Sequence, residues 1–189
     1  MNTRFPRSAA WAFTLMFGVL PCAGAVEYTE VNATASTISF TYQQFSSRVY
    51  GTFGKFGATL DFDTAHPSAG RATLTIDLDS IDAGSSDAND ELKKPAWFDT
   101  ANYPVGTFES TGVKALGDNR YVLTGKLTLR QITRVVDVPV LLKSENTIGI
   151  FDGTLTLKRS DFTIGKGEWA DTVVSDDINI RFRMVAPQQ

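Results

Sequence analysis

The chain has 189 residues, with 18 Lys and Arg against 21 Asp and Glu, one His, one Cys, and 42% hydrophobic residues. This length fits one domain, and the net charge of -3 argues against nucleic acid as the main partner, because phosphate binding needs a basic face. One His and one Cys cannot build a Cys/His zinc site or a disulfide within one chain, so we predict no metal site and no cofactor.

Residues 1–25 have the three parts of a secretory signal peptide. Arg4 and Arg7 give a positive start, residues 9–20 carry no charge, and Ala23-Gly24-Ala25 is a small-x-small cleavage pattern. A transmembrane interpretation is weaker, because a spanning helix needs roughly 20 apolar residues. The sequence therefore predicts a cleaved leader and no stable membrane span.

Cys22 raises lipidation of the N-terminus as a third interpretation, to which the preceding Pro21 is a poor fit. Cleavage before Val26 would remove this cysteine together with the leader. We therefore expect a mature domain over residues 26–189 that is located in the periplasm or secreted.

After the leader, apolar and polar residues alternate with a period of two, which is typical of strands with one apolar face. Eight such segments lie between turn-forming residues, at 36–44, 48–63, 71–81, 105–115, 120–130, 134–143, 147–158 and 172–185. Long antiparallel strands with short connections favour a closed barrel, because closure removes exposed edges. We predict an all-β fold, an eight-stranded antiparallel barrel in one domain. A two-sheet sandwich is the alternative.

The longest interruption of the alternation covers residues 81–104. Asp87 or Asn89 is expected to cap a short helix around residues 90–94, and Pro95 ends it. This predicts a short helical insertion between two barrel strands.

No catalytic motif appears in the sequence. Asp61, Asp63 and His66 suggest a metal or acid–base site, but one His with two carboxylates at a strand end is a weak metal signature. No G-x-S-x-G motif or phosphate-binding loop is present. We therefore predict no catalytic residues and no enzyme activity, and a hydrolase remains the least favoured function.

Several blocks of the chain resemble the YceI family of exported, lipocalin-like proteins, in the family's order over residues 28–186. The blocks are Gly51-Thr52-Phe53 with Asp61-Phe62-Asp63, Leu78 to Gly84, Trp97-Phe98-Asp99 with Asn102-Tyr103-Pro104 and Phe108 to Thr111, Gly125 to Arg130 with Ile132-Thr133, and Arg159 to Gly165. The resemblance implies an eight-stranded lipocalin-like barrel with an elongated apolar cavity. Some members of the family hold a polyisoprenoid there, and others hold a fatty amide or similar lipid.

The chain departs from the family pattern at a few polar positions. Ala35 and Ala88 stand where the family often has His or a basic residue, Glu91 stands where it often has His, and Gln131 replaces a glycine.

The apolar phase of the strands supplies the candidate ligand-binding residues. An eight-stranded barrel is either filled by side chains or wide enough for one ligand. Trp97, Phe98 and Trp169 lie in or beside loops and are expected to line the entrance, with the loop at 84–104 as a lid. The ligand-binding set is Phe40, Tyr42, Phe53, Phe62, Leu74, Ile76, Leu78, Trp97, Phe98, Phe108, Leu127, Leu129, Val138, Ile178 and Ile180. Val122 is assigned to the same inward phase.

The function predicted from these residues and the resemblance is binding of a long apolar molecule in the barrel. An isoprenoid, quinone-like tail, fatty acid or fatty amide fits this prediction, and the role would be transport, storage or sequestration. The alternative is a structural or interaction barrel whose core is filled by its own side chains. The oligomeric state stays open, with a homodimer among the options.

Overall fold

The computed structural model describes residues 25–167, 170 and 173–189. The predicted leader, apart from Ala25, and Trp169 lie outside these residues, so the predictions made for them are untested.

The described chain forms one antiparallel sheet of eleven strands that curls into a barrel, together with the α-helix α1 (Ser86–Lys93). The strands are β1 (Glu27–Glu30), β2 (Thr37–Gln44), β3 (Ser47–Phe53), β4 (Phe56–Asp63), β5 (Arg71–Asp77), β6 (Ile81–Asp82), β7 (Val105–Gly117), β8 (Arg120–Leu129), β9 (Ile132–Glu145), β10 (Ile148–Lys158) and β11 (Asp177–Pro187). Their order in the sheet is β1-β4-β5-β7-β8-β9-β10-β11-β2-β3-β6. The predicted all-β barrel with a short helical insertion is confirmed.

The predicted segment 48–63 is two strands separated by a bend. The chain turns at Gly54 and Lys55, whose backbone N–H groups donate to the carbonyl and the Oγ of Ser80 at 3.0 and 2.9 Å. β3 then pairs with β2, whereas β4 pairs with β5 at the other end of the sheet order. The prediction of eight strands is therefore corrected to eleven: β3 and β4 separate at this bend, and the short strands β1 and β6 add to the edges.

Strand β5 ends earlier than predicted. The carboxylate of Asp77 accepts a hydrogen bond from the backbone N–H of Asp79 at 3.0 Å and turns the chain into a 3-10 helix, Leu78–Ser80. The N–H of Leu78 donates to the carbonyl of Pro104 at 2.9 Å. Leu78 is fully buried in this turn, so its burial does not depend on strand pairing.

Helix α1 is longer than predicted, and its cap is a different residue. The Oγ of Ser85 accepts a hydrogen bond from the N–H of Ala88 at 3.2 Å, whereas Asn89 receives the N–H of Ala83 at 2.6 Å. The helix ends before Lys94, which is extended because Pro95 follows it. The predicted caps at Asp87 and Asn89 are therefore wrong, and the predicted stop is confirmed.

The last strand begins at Asp177 rather than at residue 172. The carboxylate of Asp176 accepts hydrogen bonds from the N–H and Oγ of Ser160 at 2.9 and 2.8 Å. These bonds draw the chain before β11 toward the loop after β10 instead of continuing the ladder.

Four aromatic side chains fill the end of the barrel opposite α1. Tyr28 and Phe151 meet edge to face at 5.2 Å between ring centroids, and Phe62 meets Tyr121 at 5.0 Å and Phe151 at 5.6 Å. Tyr28 is fully buried. Both ends of the described chain lie near this cluster, since the N–H of Gln189 donates to the carbonyl of Glu27 at 3.0 Å. We call this region the closed end.

Candidate functional site

The barrel contains an apolar chamber of about 300 Å³ between α1 and the closed end. This volume is at the lower limit of the roughly 300–1,000 Å³ that ligand pockets occupy. Strands from both halves of the sheet border the chamber, and Phe151 of the closed end forms its floor. The barrel is therefore hollow over part of its length and filled only toward the closed end.

The structure brings together all of the predicted ligand-binding residues except Phe62. The chamber is bordered by Phe40, Tyr42, Phe53, Leu74, Ile76, Leu78, Trp97, Phe98, Phe108, Leu127, Leu129, Val138, Ile178 and Ile180. Phe62 lies behind Phe151 in the closed end and does not border the chamber. Ligand binding by these residues stays a prediction.

The predicted inward orientation of Val122 is wrong. Tyr121 pairs with Val140, and both side chains are buried, whereas Val122 pairs with the exposed Pro139. The residues from Tyr121 to Leu123 are all apolar, so the sequence alone does not show which phase faces inward. The pairing register with β9 decides it.

Three glycines keep the chamber open by letting aromatic rings lie against the wall. A Cβ added at Gly51 would overlap the ring of Phe40, and a Cβ at Gly153 would overlap the ring of Phe182. Gly125 has the same relation to Phe108. Each ring covers a strand position that has no side chain, which is a known use of glycine within sheets. The rings therefore occupy the wall rather than the centre.

Helix α1, the loop that follows it (residues 94–104) and the loop that follows β10 (residues 159–167) cover the chamber opposite the closed end. We call these three segments the lid. Ala88 and Leu92 of α1 border the chamber together with Trp97. From the loop after β10, Phe162 and Ile164 also border the chamber, and both are buried. Sequence reasoning missed Phe162 and Ile164 as chamber residues because neither belongs to an alternating strand.

Hydrogen bonds tie the two loops of the lid to each other. The N–H groups of Gly165 and Lys166 donate to the carbonyl of Ala96 at 2.8 and 3.1 Å. The Arg130 guanidinium donates to the carbonyls of Thr163 and Pro95 at 2.7 and 3.1 Å. Arg130 has a positive φ of 49° in the β8–β9 turn, so this turn positions the residue that joins both loops.

Arg159 organises the loop that precedes β11. It is 6% exposed, and its guanidinium donates to the backbone carbonyls of Ile164, Gly165 and Ala170 at 3.1, 2.6 and 2.9 Å. The guanidinium also lies 5.9 Å from the ring centroid of Trp97. Through these contacts Arg159 holds the loop after β10 in place and packs it against Trp97 of the lid.

The outer rim of the lid carries an ion pair. Glu91 lies 2.5 Å from the Nζ of Lys94 and accepts a hydrogen bond from the indole Nε1 of Trp97 at 3.3 Å. The Lys94 ammonium lowers the pKa of Glu91, and Glu91 raises the pKa of Lys94. Glu91 and Ala88, two positions where the family pattern often has other side chains, thus stand beside the chamber.

Asp63 and His66 form a separate surface pair. The Nδ1 of His66 lies 2.7 Å from the Oδ2 of Asp63, and this hydrogen bond lowers the pKa of the Asp63 carboxyl. Asp61 pairs in register with Arg71 and does not join them. Within the described residues, we find no group of three side chains that could hold a metal ion.

Among the same residues, we find no helix with the length and apolar character needed to cross a bilayer.

Comparison with known proteins identifies the chain's relatives. The family model described as YceI-like domain matches residues 29–186. Protein YceI of Escherichia coli O157:H7 is 32% identical over 167 residues, which cover 87% of this chain and 84% of that protein. A UPF0312 protein of Ectopseudomonas mendocina is 32% identical over 135 residues, which cover 67% of this chain and 71% of that protein.

Solved structures have the same fold. The crystal structure of Burkholderia cenocepacia BcnA matches with a TM-score of 0.80 at 39% identity, over 83% of this chain and 99% of that one. A domain of Saccharophagus degradans described as polyisoprenoid binding matches with a TM-score of 0.64 at 20% identity, over 87% of this chain and 99% of that one. At 20% identity this second likeness shows the fold alone. By its sequence match over nearly the whole described barrel, the chain belongs to the YceI family.

Proposed function

We propose that the protein binds one apolar chain, such as an isoprenoid, a quinone-like tail or a fatty acid or amide, inside the barrel and so transports, stores or sequesters it. The observation that carries this proposal is the apolar chamber of about 300 Å³. A hydrocarbon bound in this space would make dispersion contacts with the apolar side chains that border it.

Burial of methylene groups is the main favourable contribution to the free energy of such binding. Burying about ten methylene groups contributes on the order of 8 kcal/mol. Association itself costs roughly 4–15 kcal/mol, so preformed walls matter, because they reduce the part of this cost that comes from ordering side chains. Rings such as Phe40 and Phe182, each lying over a glycine, are examples of such preformed contacts.

The family comparison agrees with this proposal. The Saccharophagus degradans domain of the same fold is described as polyisoprenoid binding, which favours an isoprenoid among the apolar ligands. The chamber is built by one chain alone, so the proposal requires no homodimer.

We also infer that the protein is exported and acts in the periplasm or outside the cell. The small-x-small pattern ends at Ala25, and the next residue, Val26, is already part of the fold. Its N–H donates to the Oγ1 of Thr64 at 3.0 Å, and its carbonyl accepts from the N–H of Thr64 at 3.0 Å. Cleavage before Val26 would thus leave the folded part intact. N-terminal sequencing of the protein from a periplasmic fraction tests this inference, and a mature chain that retains Arg4 contradicts it.

Native mass spectrometry of protein purified without detergent tests the proposed function. We expect a mass excess that organic extraction removes and that addition of a lipid extract restores. Identical masses before and after extraction, together with no uptake by the extracted protein, would contradict the proposal. That result would instead favour a barrel that acts only through its outer surface.

A further inference from the structure

The barrel wall contains a seam between β9 and β10. The two strands pair from Glu145↔Ile148 to Val140↔Gly153, and the ladder stops there. Both strands continue, β9 back to Ile132 and β10 on to Lys158. In these described segments, residues 132–139 pair with β8 and residues 154–158 pair with β11, with no ladder pair between them.

The sequence places a proline where the ladder stops. Continuation of the register would set Thr154 opposite Pro139, directly after the last pair, Val140↔Gly153. Proline has no N–H to donate and is therefore typical of strand edges. The end of the ladder at Pro139 is therefore consistent with the missing N–H of this residue, and the seam is encoded in the sequence.

A groove of about 840 Å³ lies on the outer surface at the seam. It shares five bordering residues with the chamber, namely Phe40, Val136, Leu155, Leu157 and Ile180. Val136, Leu155 and Leu157 are half-buried side chains that belong to the inward phase of β9 and β10. Only one layer of side chains therefore separates the groove from the chamber.

The two sides of this layer differ in chemistry. The chamber side is apolar, whereas the groove is bordered by polar and charged residues, namely Thr154, Thr156, Asn179, Arg181 and Asp137. The exposed ring of Tyr50 stands at the groove's other side. A molecule that crossed the layer would thus meet hydrocarbon on one side and hydrogen-bonding groups on the other.

The chamber is small for a long chain. A cavity of about 150 Å³ holds one benzene molecule, so the 300 Å³ here correspond to roughly twelve carbon atoms. At the lid, Arg130 and the bonds to the Ala96 carbonyl hold the covering loops together. At the seam no ladder pair lies between the chamber and the groove, which makes the seam a candidate path for a longer ligand or a polar end.

We propose that the ligand is an amphiphile that crosses the wall at the seam: its apolar segment occupies the chamber, and its polar end passes between β9 and β10 into the outer groove. This inference rests on the proposed function, because it requires an apolar chain in the chamber. It adds a second binding surface and a ligand class, a chain of roughly twelve carbons or more joined to an uncharged hydrogen-bonding group, since both Asp137 and Arg181 border the groove.

Paramagnetic broadening with the unmodified protein sequence locates the polar end. The probe is a dodecanoyl chain joined through an amide to a nitroxide ring, added to the isotope-labelled, lipid-stripped protein. We expect the amide resonances of Thr154, Thr156 and Asn179 to broaden most. Broadening centred on Glu91 and Lys94 would place the polar end at the lid and overturn the inference.

The same experiment separates this inference from the proposed function. Uptake of 1-dodecanol without uptake of the nitroxide amphiphile would leave the proposed function standing and overturn the inference that the ligand crosses the wall at the seam. Failure of the protein to take up either molecule would overturn both proposals.

A cross-link between β9 and β10 tests whether the ligand passes through the seam. In a Cys22→Ser background, Asp137→Cys and Thr156→Cys, both exposed, are joined by a bifunctional thiol reagent, and mass spectrometry verifies the link. Relative to the same double-cysteine protein before cross-linking, we expect uptake of the nitroxide amphiphile to slow by about tenfold or more. The matched control joins Thr128→Cys and Thr133→Cys, which face each other in an intact ladder with hydroxyls 2.8 Å apart, and should leave the rate unchanged. Equal rates for both cross-linked proteins would overturn the inference.

Discussion

The ring of Phe182 on β11 lies directly against Gly153, its cross-strand partner on β10. A Cβ at position 153 would occupy the same space as the ring. The glycine therefore determines where the phenylalanine can lie, and the position of the ring determines how much of the chamber stays open.

Replacing this glycine should close part of the chamber. In Gly153→Ala, the added methyl group pushes the Phe182 ring inward, and we expect less bound lipid by native mass spectrometry. Overpacking of this kind also lowers the free energy of unfolding by about 1–3 kcal/mol. The control is Gly57→Ala on β4, where a Cβ meets no atom within 4 Å. If both variants retain the same amount of lipid, the ring does not control the space.

Shortening Phe62 should deepen the chamber. Phe62 lies 5.6 Å from Phe151, which forms the floor, so Phe62→Ala opens space into which Phe151 can move. We expect the preferred chain length in a series of fatty alcohols to increase. Loss of a buried aromatic ring also costs about 3–5 kcal/mol of the free energy of unfolding, which denaturant titration measures. An unchanged length preference in a folded variant would show that the floor does not set the limit.

The support given by Arg159 should be specific to its guanidinium. Its planar group donates to several carbonyls at once, which the ammonium of lysine cannot reproduce. We expect Arg159→Lys to lower the free energy of unfolding by about 2–3 kcal/mol, since hydrogen bonds to charged groups contribute about 1.5–3 kcal/mol each. Arg181→Lys, at an exposed position, serves as the control and should be near neutral in the same denaturant titration. Equal stability of the two variants would contradict the assigned role.

The contact between Glu91 and Trp97 should depend on pH. The hydrogen bond from Lys94 is the main cause of the lowered pKa of Glu91 in the folded protein. The stabilisation is therefore fully present above the ordinary pKa of a glutamate and is lost as the pH falls through the lower, folded value. We expect the indole N–H resonance of Trp97 to shift in that acidic range.

In Glu91→Gln the side chain still accepts the indole hydrogen bond and does not titrate. The Trp97 resonance of this variant should stay constant over the same range. A shift of equal size in both proteins would mean that another group is responsible.

Much of the barrel could be predicted because the alternation of apolar and polar residues has a local cause. A strand that faces a core on one side needs a period of two, so the segments that became β7 to β10 are visible in the sequence. The bend at Gly54 is different. The Ser80 groups that receive its hydrogen bonds lie far along the chain, and no local pattern shows them.

The sequence predicted most of the residues of the candidate site, but it did not predict how far along the barrel axis each of them lies. Leu60 and Phe62 share the same phase of β4, yet Leu60 borders the chamber and Phe62 belongs to the closed end. The alternation of apolar and polar residues shows whether a side chain faces inward, but it does not show where along the barrel axis that side chain lies. Phe162 faces the chamber from a 3-10 helix, where no period of two exists to reveal it.

The meeting of Glu27 and Gln189 at the closed end has a practical consequence for engineering. Because Glu27 and Gln189 are already neighbours, a short glycine-rich connector could join these two residues, and new termini could be opened in an exposed hairpin such as the β7–β8 turn at Asp118. Such a circular permutant would keep every chamber residue in place. A sensor protein fused at the original ends, by contrast, would sit on the far side of the barrel from the lid.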